Sequence, residues 1–282
     1  MKNNLSIGLG LRSSHYSYIL KNLPKVDWFE AISENYLDLD SASGELKKTI
    51  PLTNLLKIRE HYPIALHGVS LSIGSTNPLN KIYLQKLKAL IEAVDPLWVS
   101  DHICWTGVNQ ENLHDLLPLP YTQETIDHVA NKILQVQDFL KRPMVFENVS
   151  AYLSFKHSEM SEWEFIREIV KKTDCEILLD VNNIFVSSKN QNFDPIEFIK
   201  TLPKEYIREM HLAGHSSSGS MLIDTHDGPV CHEVLSLYQE TLNIVGKIPT
   251  LIEWDDKIPE FLILENEIEN VLKIWNQEKA NE

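Results

Sequence analysis

Eight short apolar runs recur along the chain, and stretches with helical periodicity separate them. None of the runs alternates cleanly between polar and apolar residues, which is typical of parallel strands covered on both faces. The runs predict strands at residues 5–10, 26–32, 63–69, 96–102, 143–148, 175–180, 207–212 and 249–255. This order predicts an α/β fold, a (β/α)8 TIM barrel forming a single domain over residues 1–282, with a doubly wound open sheet as the alternative.

Helix signals fall between the predicted strands. Ser161 and Glu164 have the spacing of a capping box, and Asp194 followed by Pro195 is a typical helix start. The predicted helices cover residues 16–23, 44–61, 78–94, 122–140, 161–172, 230–245 and 260–275, and one more begins at Asp194. Residues 105–121 and the Gly- and Ser-rich residues 214–229 are predicted as loops, and long loops in compact domains are usually functional.

Imidazoles and carboxylates stand at the C-terminal ends of six predicted strands. In a barrel these ends converge on one mouth, whereas in an open sheet they would be strung along an edge, so the pattern favours the barrel. The strand-end residues are His67, His102, Glu147, Asp180, His211 and Glu253. The connections that follow the strands add Asn183, His215, Asp224 and His226.

Imidazole and carboxylate groups are ligands for zinc, iron and manganese. So many of them in one mouth would repel one another, because a buried carboxylate needs a cation or several hydrogen-bond donors. The pattern predicts two or three bound metal ions, with Glu147 and Glu253 as candidate bridges between them. Each residue also has an ordinary alternative: Asp180 could cap the next helix, and Glu147 could pair with Arg12.

Composition narrows the classes of function. The formal net charge of −14 argues against a nucleic-acid partner, since phosphate contacts need clustered Lys and Arg. Three scattered Cys residues without a CxxC pair argue against a disulfide framework and against a thiolate metal site. No apolar run approaches the roughly 18 residues of a membrane span, and residues 1–5 lack the apolar stretch of a signal peptide. The expectation is a cytoplasmic protein without a membrane segment.

Seven short motifs carry the candidate ligands and their neighbours. They are LHGV at 66–69, SDH at 100–102, FEN at 146–148, LDVNN at 179–183, MHLAGH at 210–215, DTH at 224–226 and IEWD at 252–255. Together with GLGLR at 8–12, they resemble the DUF692 (UPF0276) family of MbnB-like, multinuclear non-haem iron-dependent oxidative enzymes. The resemblance extends over nearly the whole chain.

This resemblance implies an iron-dependent, peptide-modifying oxidoreductase. Such an enzyme would bind two or three iron ions in a mixed Fe2+/Fe3+ state and use O2 as co-substrate. It would modify Cys residues of a ribosomally synthesised precursor peptide, giving a copper-binding or thiol-modified natural product. The resemblance also implies a small partner protein that recognises the leader of the precursor.

The resemblance assigns roles to residues motif by motif. The implied metal ligands are His67, His102, Glu147, Asp180, Asn183, His211, Asp224, His226 and Glu253. The implied catalytic residues are Asp255, expected to take an amide proton from the substrate, and His215, expected beside the substrate or behind the ligands. The candidate substrate-binding residues are Arg12, His15, Glu34 and Asn148. A ligand set without Cys leaves room for a substrate sulfur.

Two other functions stay open at this point. The order of His, Glu and Asp residues also resembles endonuclease IV and the xylose-isomerase-like barrels, which would make the protein a divalent-metal hydrolase or isomerase. The endonuclease pattern would want His in place of Asn183, and it would want basic DNA-binding loops. The third hypothesis is a protein that stores metal or binds a partner without catalysis.

Overall fold

The structure is a computed structural model that describes residues 5–40, 45–108 and 111–277. Its strands are β1 (Ile7–Gly10), β2 (Trp28–Ile32), β3 (Ile64–His67), β4 (Val99–His102), β5 (Trp105–Val108), β6 (Glu111–Leu117), β7 (Val145–Glu147), β8 (Glu176–Asp180), β9 (Ile207–Ala213), β10 (Ser216–Ser218), β11 (Met221–Ile223) and β12 (Thr250–Glu253). Its helices are α1 (Tyr16–Asn22), α2 (Ile50–Arg59), α3 (Lys81–Val94), α4 (Gln123–Leu140), α5 (Glu162–Thr173), α6 (Val181–Gln191), α7 (Pro195–Thr201), α8 (His232–Val245) and α9 (Phe261–Trp275), with 3₁₀ turns at Ser13–His15, Ser33–Tyr36 and Lys204–Tyr206.

Eight of the strands pair in parallel and close into a barrel in the order β1-β12-β9-β8-β7-β4-β3-β2. The first and last strands close the ring, with Ile7 opposite Thr250 and Leu9 opposite Ile252. The predicted (β/α)8 barrel is confirmed, and the open sheet is excluded. The predicted strand ends differ from the observed ones by at most three residues.

Local capping signals place several helices where the sequence predicts them. Ser161 and Glu164 make both hydrogen bonds of the capping box, and the Asp194 side chain caps α7. The helix predicted over 44–61 is shorter: α2 begins after the Thr49 cap, and Gly44 lies outside the described residues. Helix α6 has no counterpart among the predicted helices. It begins directly after β8 because Asp180 caps it, accepting the Asn183 N–H at 2.6 Å.

Two of the predicted loops are wrong in part, because each contains a β-hairpin. Strands β5 and β6 pair antiparallel within 105–121, and the Trp105 indole N–H donates to the Pro118 carbonyl. Strands β10 and β11 pair antiparallel about Gly219, whose φ is 62°. Both segments leave the barrel, and antiparallel pairing satisfies backbone groups that would otherwise lack partners. None of the helices in the described ranges is long and apolar enough to cross a membrane.

A cluster of apolar side chains fills the barrel interior toward the N-terminal ends of the strands. Its members are Trp28, Ala65, Trp98, Val145, Leu178 and Leu251. The indoles of Trp28 and Trp98 meet edge to face, with ring centroids 5.1 Å apart. This cluster occupies the lower part of the barrel, so most of the polar side chains of the interior lie nearer the mouth.

The Trp28 indole packs so closely against the neighbouring strand β1 that position 8 has room only for glycine. A Cβ at Gly8 would lie 2.4 Å from Trp28 Cε2. Gly8→Ala is expected to lower the free energy of unfolding by about 1–3 kcal/mol, the usual effect of overpacking a core. Urea unfolding measures the change. Gly228→Ala is the control, since a Cβ there meets nothing within 4 Å. Equal midpoints for both variants would contradict the prediction.

Candidate metal centre

Besides the group of Glu30, Glu209 and His211, the structure brings together three groups of possible metal ligands at the ends of the barrel strands, and in each group the ligand atoms lie within 4.8 Å of one another. The groups are His67, His102 and Glu147; Glu147, Asp180 and His211; and Asp180, His226 and Glu253. Glu147 belongs to the first and second groups, and Asp180 to the second and third. The groups therefore form a row of three adjacent positions.

In the first group, both imidazoles direct their Nε2 atoms toward the same carboxylate. His67 Nε2 is 3.5 Å and His102 Nε2 is 3.1 Å from Glu147 Oε2. His67 Nδ1 contacts the Ser100 hydroxyl at 2.8 Å, and His102 Nδ1 contacts the Gly68 carbonyl at 3.2 Å. A carbonyl only accepts, so the proton of His102 lies on Nδ1 and Nε2 is free for a metal.

His211 directs one nitrogen to the mouth and the other to the barrel floor. Its Nδ1 is 3.1 Å from Glu253 Oε2 and 3.9 Å from Glu147 Oε1. Its Nε2 is 3.3 Å from Glu30 Oε1 and 3.4 Å from Glu209 Oε1. The imidazole thus connects the second group to a pair of carboxylates beneath it.

His226 enters the third group from the connection after β9. Its Nδ1 is 3.4 Å from Glu253 Oε2, and its Nε2 is 2.6 Å from Asp224 Oδ1. Its backbone is left-handed, with a φ of 47°. The His226 N–H donates to the Gly214 carbonyl, and the His226 carbonyl accepts the Asp255 N–H at 2.8 Å. These two bonds hold the connection in place over the mouth.

Several buried atoms of this site have no hydrogen-bond partner in the part of the chain that the structure describes. They are Glu147 Oε2, Asp180 Oδ2, Asn183 Oδ1 and His226 Nε2. Asn183 donates through Nδ2 to the Asn148 carbonyl and to Glu147, which leaves its Oδ1 available. A buried polar atom without a partner costs about 1–3 kcal/mol. An ion bound by these oxygen and nitrogen atoms would remove that cost, so the residues fit a metal.

The pKa shifts of the candidate ligands are compatible with a metal site at this position. Burial, assisted by the charges of His102 and His211, lowers the pKa of His67 well below its ordinary value, so its imidazole is neutral. Burial is the largest single influence on the pKa of His102 and lowers it, but the carboxylates of Glu147, Asp101 and Glu253 together raise this pKa to about 9. Burial raises the pKa of Asp180 well above its ordinary value, and the charge of Glu147 adds to the rise. Metal binding would replace these protons and release them.

The structure brings all nine predicted ligands to this mouth. Asn183 and Asp224, which are outside the three groups, line the same pocket as His226 and Glu253. The predicted base, Asp255, also lines the pocket. His215 does not; its Nδ1 contacts Asn182 at 2.8 Å, and Asn182 in turn donates to Asp224 Oδ1 at 2.6 Å.

Of the four candidate substrate-binding residues, Arg12 lies beside the pocket. Its guanidinium donates to Asp255 and to the Trp254 carbonyl, and lies 3.9 Å from Glu253 Oε1. The other three lie outside the pocket lining and are occupied by protein groups. His15 contacts the Pro259 carbonyl, Glu34 accepts from the Val69 N–H and the Tyr83 hydroxyl, and Asn148 bonds the backbone of Asp180 in both directions.

Sequence reasoning gave no role to several residues that touch the site. Glu209 lies two positions before His211 on β9, so the two side chains face the same way, and this spacing was the available signal. Glu30 reaches the same nitrogen of His211 from β2. Asn182 and Tyr152 both hold Asp224: the Asn182 amide donates to its side chain, and the Tyr152 hydroxyl accepts its backbone N–H.

Comparison with known proteins gives matches along nearly the whole chain. A family model described as RiPP precursor modification enzyme MbnB/TglH/ChrH matches residues 6–276. A UPF0276 protein of Acaryochloris marina is 47% identical over 257 residues, covering 91% of this chain and 90% of the relative. A UPF0276 protein of Anaeromyxobacter sp. is 49% identical over 255 residues, covering 90% and 87%. The range matched by the family model contains every predicted ligand.

Solved structures of similar fold share little sequence with this chain. Endonuclease IV from Thermus thermophilus has a TM-score of 0.59 at 13% identity, covering 94% of this chain and 99% of its own. A xylose isomerase-like TIM barrel protein from Mycobacterium smegmatis in complex with magnesium has a TM-score of 0.59 at 10% identity, covering 96% and 97%. These likenesses show the xylose-isomerase-like barrel fold and carry no information on the reaction.

Removing the carboxylate shared by two groups tests the metal assignment. Glu147→Ala is expected to lose at least one of the ions that the wild-type protein takes up when loaded with Fe2+ without oxygen, because two positions lose a ligand. Inductively coupled plasma mass spectrometry of the desalted protein counts the ions. Glu176→Gln is the matched control, since Glu176 lies on the neighbouring strand and pairs with Arg208 instead. An unchanged ion count in Glu147→Ala would refute the assignment.

Proposed function

The chain belongs to the MbnB/TglH/ChrH family of RiPP precursor modification enzymes, the UPF0276 proteins, and from this premise we propose that it oxidises Cys residues of a ribosomally synthesised precursor peptide with iron and O2. The observation that carries the proposal is the row of three ligand groups sharing Glu147 and Asp180. Shared carboxylates are what a multinuclear centre requires, because they bridge neighbouring ions.

We propose two or three iron ions, in a mixed Fe2+/Fe3+ state, as the cofactor. Imidazole and carboxylate ligands with open positions suit non-haem iron, and the described groups contain no Cys ligand. The residues that would hold the ions are those of the three groups, with Asn183 and Asp224 beside them. When bound, the ions would activate O2 and hold the substrate thiolate, whose pKa they would lower by direct charge.

Asp255 is the proposed general base. It lines the pocket, its Oδ1 accepts from Arg12, and its Oδ2 is 3.2 Å from His226 Nδ1. The guanidinium and the imidazole fix the carboxylate in one orientation while its side chain stays 40% exposed, so a substrate can reach it. A carboxylate so placed can take an amide proton from the peptide. Arg12 is the candidate substrate-binding residue that we retain, because it contacts this base.

The walls of the pocket suit a peptide segment. Leu116 of β6 and Val149 after β7 give apolar surface, while Asp115, Ser150 and Tyr152 give polar groups. Mixed walls of this kind orient a ligand through a few polar contacts and bury the rest. We propose that a Cys side chain of the precursor enters here. The leader-binding partner protein and the cytoplasmic location stay predictions from the sequence.

His215 acts, in this proposal, on a ligand and not on the substrate. Its imidazole reaches Asp224 only through Asn182, and its ring packs beside Phe185 with centroids 5.3 Å apart. Burial lowers its pKa below the ordinary value, which favours the neutral ring. We therefore propose that His215 orients Asn182, which in turn orients Asp224.

Metal content with Mössbauer spectroscopy tests the proposed function. Protein purified without oxygen from cells fed iron-57 is expected to hold two or more irons per chain, with ferrous and ferric signals. Oxygen and the Cys-containing peptide of a neighbouring short reading frame should then give an oxidised product by mass spectrometry. His211→Ala and Glu253→Ala should lose both iron and product. Stoichiometric zinc that persists when iron is supplied, with cleavage of an abasic-site oligonucleotide, would support the hydrolase hypothesis instead.

The base can be tested separately from the ligands. Asp255→Asn keeps an oxygen for Arg12 but loses basicity, so kcat on the peptide is expected to fall by about 10²–10⁴-fold, the usual contribution of a positioned base. Iron content should stay at the wild-type value. Asp256→Asn, at the exposed neighbouring position, should keep its activity. An Asp255→Asn enzyme with wild-type kcat would remove Asp255 from the mechanism.

A further inference from the structure

Beneath the mouth, two carboxylates that the proposed function does not use face a single nitrogen of His211. We propose that Glu209 and Glu30 are positioning residues: they hold the Nε2–H of His211 from the barrel floor, so that Nδ1 is presented to the metal. The inference rests on the proposed metal centre and extends it to residues below the ligands.

The contact is symmetric and completely buried. His211 Nε2 lies 3.3 Å from Glu30 Oε1 and 3.4 Å from Glu209 Oε1. His211 and Glu209 have no exposed surface, and Glu30 is 3% exposed. A buried N–H without an acceptor would be strongly unfavourable. These two carboxylates are in contact with the His211 Nε2 atom, although neither contact has full hydrogen-bond geometry.

Glu209 is itself held in place by the apolar cluster of the floor. The Trp98 indole N–H donates to Glu209 Oε2 at 2.5 Å, which directs Oε1 toward His211. Trp98 in turn packs edge to face on Trp28. The orientation of the His211 imidazole thus depends on a series of contacts. Trp98 of the apolar floor holds Glu209, and Glu209 contacts Nε2 of the imidazole whose Nδ1 faces the metal position.

The possible ligand atoms of Glu30, Glu209 and His211 are also close enough to one another to bind a metal ion themselves. Two observations favour the positioning role instead. An ion on Nε2 would leave the proton on Nδ1, and the group with Glu147 and Asp180 would lose its only imidazole. In addition, neither Glu30 nor Glu209 lines the pocket at the mouth, and the apolar cluster lies on the floor side of the barrel interior.

Carboxylates behind a metal-bound imidazole fix its tautomer and raise its basicity, and their loss typically lowers metal affinity by about 10–100-fold. Glu209→Gln and Glu30→Gln are therefore expected to lower the affinity of the protein for one metal ion by that factor. The number of ions bound at saturation should stay unchanged. Trp98→Phe removes the indole donor, together with part of the ring that packs on Trp28, and should lower the affinity for the same ion less. Glu162→Gln, a half-buried carboxyl at the start of α5 outside the barrel, is the control.

Anaerobic titration of the full-length apoprotein with Co2+, with ion counting at saturation, measures affinity and stoichiometry. Proton NMR of the Co2+-loaded protein gives a second readout that general destabilisation would not change. The wild type should show a shifted imidazole N–H signal that exchanges slowly, is absent in His211→Ala, and exchanges faster in Glu209→Gln.

The outcomes separate the hypotheses. Weakened binding at full stoichiometry, with the altered N–H signal, supports the positioning role. Loss of one ion at saturation in both Gln variants would make the two carboxylates ligands and overturn it, and unchanged affinity with an unchanged signal would overturn it as well. Wild-type protein that binds no metal would instead refute the metal centre, and with it the proposed function.

Discussion

The concentration of carboxylates and imidazoles at one end of a barrel is the constraint on which the rest of this structure depends. Glu147, Asp180 and Glu253 are at most 6% exposed, yet they face one another across the mouth. Burying an ionised carboxylate without compensation costs several kcal/mol even after relaxation. The imidazoles of His102 and His226, whose pKa values the neighbouring carboxylates raise, supply part of the compensating positive charge, and the guanidinium of Arg12 lies 3.9 Å from Glu253. Bound cations would supply the rest, and each shared carboxylate would then serve two positions.

The barrel makes this arrangement possible because parallel strands all present their C-terminal ends on the same side. Six of the eight barrel strands contribute one candidate ligand each, at or near the C-terminal end of the strand, which keeps the distances between ligands short. The apolar cluster around Trp28 and Trp98 closes the other side. Groups such as Glu209 are consequently removed from water, and among the described residues Glu209 contacts the Trp98 indole of the floor and the His211 imidazole of the site.

The fold and most of the site could be predicted because their signals are local. Each apolar run that ends on a ligand, such as the one before His67 or the one before His102, contains both the strand and the functional residue. The residues behind the ligands could not be predicted, because their partners are distant in sequence: Trp98 meets Glu209 across 111 positions, and Asn182 meets Asp224 across 42.

The two hairpins and helix α6 escape prediction for a related reason. Trp105 pairs with Leu117 in a ladder that forms outside the barrel, and a segment rich in turn residues gives no clear periodicity from which to infer it. From the sequence, Asp180 is either a ligand or a helix cap. The structure gives it both possibilities at once, since one carboxylate oxygen caps α6 and the other has no hydrogen-bond partner among the described residues.

His226, which has a left-handed backbone conformation, connects two segments at the mouth of the barrel through hydrogen bonds. Its N–H is bonded to Gly214 and its carbonyl to the N–H of Asp255, while its imidazole contacts the side chain of Asp255. These contacts hold the connection after β9 and the segment after β12 together. A displacement of either segment cannot shift the Asp255 carboxylate and leave the His226 imidazole behind, so any opening of the mouth at this point alters the geometry of the third ligand group.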